Sequence, residues 1–135
     1  MGMISLGTNV LIRYWVRDNA IQYELARRCI EDHLVSFQPA MVTLLVMMES
    51  EWVLRSAYKI SKRDIAGKFA GLLAMRDLVV EEPYVLDEAL VLWRKRSVHF
   101  ANCLIWAKGR ALRCDAMATV DIRASKLPGC VLLKA

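Results

Sequence analysis

Residues 3–11 read MISLGTNVL, an apolar run that breaks at Gly7, Thr8 and Asn9 and resumes at Val10. A buried strand over Met3–Leu6 followed by a helix over Thr8–Val16, with Thr8 or Asn9 as its cap, fits this pattern. In α/β proteins ligands and chemistry gather at the carboxyl end of such a strand. Gly7 stands at that point and has no side chain to contribute.

Working outward, Asp18 or Asn19 can cap a second helix, IQYELARRCIEDH, in which Ile21, Leu25 and Cys29 recur four apart on one apolar face. Pro39 interrupts, AMVT supplies a brief strand, and LLVMMESEWVLRSAY returns to helix. Ser61 and Asp64 form a capping box at the start of SKRDIAGKFAGLLAM. DLVVEE follows as a strand, and Pro83 opens the helix YVLDEALVLWRKR with a basic end suited to the negative helix pole. A helix from Phe100 to Arg113, a strand in DAMATVD and a last strand in CVLLK complete the chain. Strands alternate with helices, which predicts parallel pairing through crossover connections, an α/β fold with helices on both faces of the sheet.

The chain has 135 residues, enough for one domain with its own core, and no linker or repeat divides it, so residues 1–135 are expected to form a single domain. Its hydrophobic fraction is 56% and its mean hydropathy +0.29. The longest apolar stretch, AMVTLLVMM, falls far short of the ~20 residues that span a bilayer, so no membrane is expected. The start MGMISLG lacks a basic region and a cleavage site, which points to the cytoplasm. Cys29, Cys103, Cys114 and Cys130 show no C-x-x-C spacing and read as free, buried or half-buried thiols. A net charge of +5 favours an anionic partner. Basic residues gather at Lys59, Lys62 and Arg63, at Arg94–Arg96, at Lys108, Arg110 and Arg113, and at Arg123 with Lys126, without interleaved aromatics for base stacking.

Polar residues just beyond strands, or in the first turns of following helices, should converge at the carboxyl edge of a parallel sheet. These are Thr8, Asn9, Glu49, Thr119 and Asp121, with Asn102 added if the helix from Phe100 points its amino end there. Glu49 sits in the apolar helix start LLVMMESEW, where an ionised carboxylate is costly without a partner unless that face is solvated. Asp121 can serve chemistry or cap the short helix after it. His99 can reach the same crevice, although a solvated loop imidazole is the plainer reading. Asp115 should lie at the opposite edge and Asp18 too far away.

Over essentially its whole length the chain resembles the VapC-type PIN-domain toxins of bacterial and archaeal toxin–antitoxin pairs. The stretches that carry the resemblance are ISLGTNVLIRYWV, VTLLVMMESEWVLRSAY and HFANCLIWAKGRALRCDAMATVDIRASKLPGCVLL. The resemblance implies a PIN-like α/β/α sandwich with a central, mostly parallel β-sheet flanked by helices. It also implies an endoribonuclease that uses acidic residues to hold Mg²⁺ or Mn²⁺, ions that prefer carboxylate oxygens, activate water and neutralise charge on the scissile phosphate. By the same resemblance the partners are RNA, a cognate antitoxin and a second copy of the chain.

Carried onto this sequence, Glu49 and Asp121 occupy two of the family's acid positions and Thr119 its threonine, with Thr8 and Asn9 supporting. At the other two positions the family's aspartates are replaced by Gly7 and Asn102. Asn102 offers a neutral carbonyl oxygen and Gly7 only backbone. Loss of a group that merely supports a metal ligand costs ~10–100-fold in affinity or activity, so loss of two carboxylate ligands should cost at least that. The expectation is therefore a metal site built on Glu49, Asn102 and Asp121 that is weak or inactive. Arg13, Arg55 and Arg123 are candidates for positioning the RNA backbone. The alternative is a PIN-fold protein that binds an antitoxin or RNA without cleaving it.

Overall fold

The structure, a computed structural model, describes residues 2–135. It is a mixed α/β protein; among the described residues there are six α-helices and two pairs of short parallel strands. The chain divides into two compact units, Met1–Pro83 and Tyr84–Ala135.

The first unit contains α1 (Thr8–Trp15), α2 (Ala20–Glu31), β1 (Ala40–Val42), α3 (Leu44–Ser56), α4 (Lys62–Ala74) and β2 (Leu78–Val80). β1 pairs with β2 in parallel register, Met41 opposite Val79. The expected first strand is reduced to a single parallel bridge between Ser5 and Met41. The Leu6 amide donates to the Met41 carbonyl (2.8 Å) and the Met41 amide to the Ile4 carbonyl (2.7 Å). Met41 thus pairs on both sides, and the carboxyl ends of all three extended segments point the same way.

α1 packs against α2 and α3, and α4 packs against α3 and β2. Leu11, Ile30, Val42, Met47, Ile65 and Phe69 are fully buried in this unit. Trp15 stacks on Phe69 at 5.5 Å between ring centres. The α2 face marked by Ile21 and Leu25 is not the inward one: these residues are 77% and 51% exposed, while Ala26 and Ile30 are buried. α2 buries a narrow stripe offset from the row of larger apolar residues.

The caps explain where these helices begin. Asn19 accepts from the Gln22 amide at 3.0 Å and starts α2. Ser61 accepts from the Asp64 amide at 3.2 Å, the bond expected of the capping box. α3 is capped twice, by Thr43 through the Val46 amide (3.3 Å) and by Glu81 through the Leu44 amide (2.9 Å).

The second unit contains all but the first residue of α5 (Pro83–Lys95), then α6 (Phe100–Ala111), β3 (Met117–Thr119), a 3-10 helix (Ala124–Lys126) and β4 (Cys130–Leu132). β3 and β4 pair in parallel, Met117 opposite Cys130, through a connection that holds only the 3-10 helix. Trp93 meets Phe100 edge to face at 5.1 Å, joining the last turn of α5 to the first of α6. The Trp106 indole donates to the Pro128 carbonyl at 2.7 Å. Among the described residues no helix is long and apolar enough to cross a membrane.

Candidate functional site

In the first unit the site is built at the carboxyl end of the Ile4–Leu6 segment. Gly7 is the N-cap of α1, in extended conformation (φ −73°, ψ 157°), and no side chain caps this helix. The expected cap from Thr8 or Asn9 is absent because both lie inside the helix, one and two residues past the cap position. The Thr8 hydroxyl is used differently: its Oγ1 donates to Glu49 Oε1 across to α3. Asn9 is exposed and lines a cavity of about 370 Å³ between α1 and α2, together with Arg13, Leu25 and Cys29. A Cβ added at Gly7 would meet nothing within 4 Å.

Glu49 itself is exposed, and the acid taken into the core is Glu51, 4% exposed. The phase of α3 decides this, since Met47, Ser50, Glu51 and Leu54 face inward and Glu49 falls between their rows. Glu51 Oε2 accepts from Arg55 Nε at 2.7 Å, and this bond pushes the guanidinium pKa of Arg55 upward.

In the second unit the Thr119 hydroxyl at the end of β3 accepts from the Asp121 amide at 3.0 Å. Asp121 Oδ1 in turn accepts from the amides of Arg123 (2.8 Å) and Ala124 (3.4 Å), so this carboxylate closes the turn that opens the 3-10 helix. Asn102 is carried by a different element, half-buried in the first turn of α6. His99 is the exposed N-cap of α6 and makes no side-chain cap bond.

The structure therefore joins the Thr8 hydroxyl to the Glu49 carboxylate and the Thr119 hydroxyl to the Asp121 backbone amide. All four polar groups are oxygen donors, the right kind for Mg²⁺ or Mn²⁺, but each pair offers too few of them. Among the described residues no three His, Cys, Asp or Glu side chains group closely enough to hold a metal ion.

Of the basic residues considered for RNA, Arg13 is tied to Asp18 at 2.9 Å and to the Tyr58 hydroxyl at 3.3 Å, and Arg55 is tied to Glu51. Arg123 is exposed. Burial pushes the thiols of Cys29 and Cys130 up, away from the reactive thiolate, and Cys103 is buried. Cys114 is exposed, contrary to the expectation of a buried or half-buried thiol.

One residue escapes the sequence reading. Glu81 follows β2 directly, at the same carboxyl edge as Gly7, and its carboxylate caps α3. The signal was present in the acidic pair Glu81 and Glu82 straight after the strand DLVV. Set against known proteins, the chain matches no family model, and no curated protein matches it in sequence.

Proposed function

We propose that this chain is a PIN-domain protein of the VapC type, with the PIN-like α/β/α sandwich as its architecture. Its ancestral activity is metal-dependent cleavage of RNA, weakened or lost here. The observation that carries the reading is a threonine hydroxyl bonded to each acidic residue, Thr8 to the Glu49 carboxylate and Thr119 to the Asp121 backbone amide, each at or just beyond the carboxyl end of a parallel-paired segment. In this reading Glu49 and Asp121 are the surviving carboxylates and Asn102 is a neutral oxygen donor. Thr8 and Thr119 orient the acids, and Asn9 stands beside Thr8 in the first turn of α1. Gly7 and Asn102 mark the two lost charges. RNA, a cognate antitoxin and a second copy of the chain are its partners.

A second reading, non-catalytic binding of RNA or an antitoxin by the same fold, draws on Asp121. One oxygen of this carboxylate is already engaged by two backbone amides, a capping role that needs no metal. The two readings separate on RNA cleavage measured with Mn²⁺ and with chelator, for this chain and for its Gly7→Asp, Asn102→Asp double variant. Cleavage that appears only in the variant, and only with Mn²⁺, establishes a disarmed nuclease. Silence from both leaves the binding protein.

A further inference from the structure

The charge of the molecule is divided unevenly. Residues 1–83 carry ten basic and ten acidic side chains, whereas residues 84–135 carry nine basic and four acidic ones, which together account for the 19 and 14 of the whole chain. The entire excess of +5 therefore belongs to the second unit. One of its four acids, Glu88, is taken up by Arg110 at 2.9 Å.

Two basic groups far apart in sequence are brought together here. Arg94 and Lys95 end α5, and Arg96 follows them and donates through Nη1 to the Lys126 carbonyl at 3.4 Å. Lys126 closes the 3-10 helix that Arg123 precedes, and all five basic side chains are exposed. The Trp93–Phe100 contact holds the end of α5 against the start of α6, where Asn102 lies in the first turn. At the other end, Asp121 fixes the Arg123 amide.

We propose that Arg94, Lys95, Arg96, Arg123 and Lys126 form a phosphate track that leads single-stranded RNA to Asn102 and Asp121. The proposal rests on RNA being the partner, in either form of the reading above. A single strand presents one phosphate per nucleotide on a flexible backbone, which can follow a row of cations and release its counterions. The row adjoins Asp121, which bonds the Arg123 amide, and runs from the end of α5 that Trp93 holds against Phe100, two residues before Asn102, a placement that an acidic protein would not require.

The test is binding of a labelled oligouridylate to the full chain by fluorescence anisotropy, in chelator, over a range of salt. If all five cations neutralise phosphates, log K should fall with log salt at a slope of about −3.5, each contact contributing about −0.7. The Lys95→Gln, Arg123→Gln, Lys126→Gln triple variant removes charge without touching the Arg96 side-chain bond. Its slope should be shallower by about 2. Arg76→Gln, exposed in the first unit, should leave the slope unchanged. A thermal melt equal to that of the unsubstituted chain assigns the change to charge rather than folding.

An unchanged slope in the triple variant overturns the proposal. So does polyglutamate that competes as well as RNA at equal charge, which would give the surface to an acidic protein. Track-dependent binding without cleavage by the Gly7→Asp, Asn102→Asp variant upholds the track and removes only catalysis. Absence of RNA binding at low salt overturns the track together with RNA as partner.

Discussion

Gly7 shows how a single position can be empty of chemistry and still well prepared for it. Its backbone is extended, it occupies the N-cap of α1, and a Cβ there would meet open space. Aspartate is among the best N-cap residues, and replacing glycine also narrows the unfolded ensemble. Gly7→Asp is therefore expected to raise stability by about 0.5–1 kcal/mol in urea unfolding. Glu49, held next door by Thr8, repels the new charge, so the gain should grow as salt is added. A loss above ~1 kcal/mol at every salt concentration would contradict the open cap, since that is the usual cost of losing a cap rather than gaining one. Glu51 makes the complementary point. Two carboxylates lie two residues apart in one helix; the exposed one reaches Thr8 and the buried one is satisfied by Arg55. Apolar neighbours in the sequence drew attention to Glu49, but a helix is read by phase, and the phase belongs to Glu51.

Helix boundaries were legible where a side chain caps its own helix. Asn19 and Ser61 do so at the positions that the sequence marks. The cap of α3 by Glu81 was not legible, because the donor and acceptor are joined only through the pairing of β1 with β2. The inward face of α2 is not the one the sequence marks for a related reason: α2 buries Ala26 and Ile30, and it meets α1 through polar contacts that no periodicity reveals. One of these contacts gives α1 and α2 a pH dependence. The Tyr14 hydroxyl lies 2.5 Å from Glu31 Oε2, and burial, then this hydrogen bond, push its pKa from 10.0 up to about 12. The folded state thus keeps the phenolic proton longer than the unfolded chain does. The stabilisation is full below pH 10 and is lost as pH rises through about 12. In ultraviolet titration Tyr14 should ionise late, and Tyr14→Phe should remove that step and flatten the fall of stability above pH 10. A variant whose alkaline stability falls as steeply as before would show that the Tyr14–Glu31 contact contributes nothing.

Across the molecule, parallel pairing was readable from the alternation of strands and helices, and every pairing among the described residues is parallel. The size of the sheets was not readable: strand runs such as DLVVEE and DAMATVD each keep only three residues in ladder pairing, because backbone partners, not composition, set strand length. Nor does the net charge reveal that residues 1–83 are neutral, with pairs such as Arg13–Asp18, Arg27–Asp32 and Arg55–Glu51, while residues 84–135 hold the whole excess. Like charges on a small unit repel over distances that salt controls. Between about 0.01 M and 0.15 M salt the Debye length shrinks from about 30 Å to about 8 Å, shorter than much of a domain. Raising salt across that range should therefore relieve repulsion in residues 84–135 and leave residues 1–83, where attraction and repulsion are screened together, nearly unchanged. Hydrogen exchange followed peptide by peptide reads this directly. Protection in α5 and α6 should rise several-fold with salt while α3 and α4 stay level. An equal rise in both sets would mean that salt acts on the chain as a whole through apolar burial. The charge asymmetry would then be confined to the surface, where it can steer an anionic partner without straining the fold that presents it.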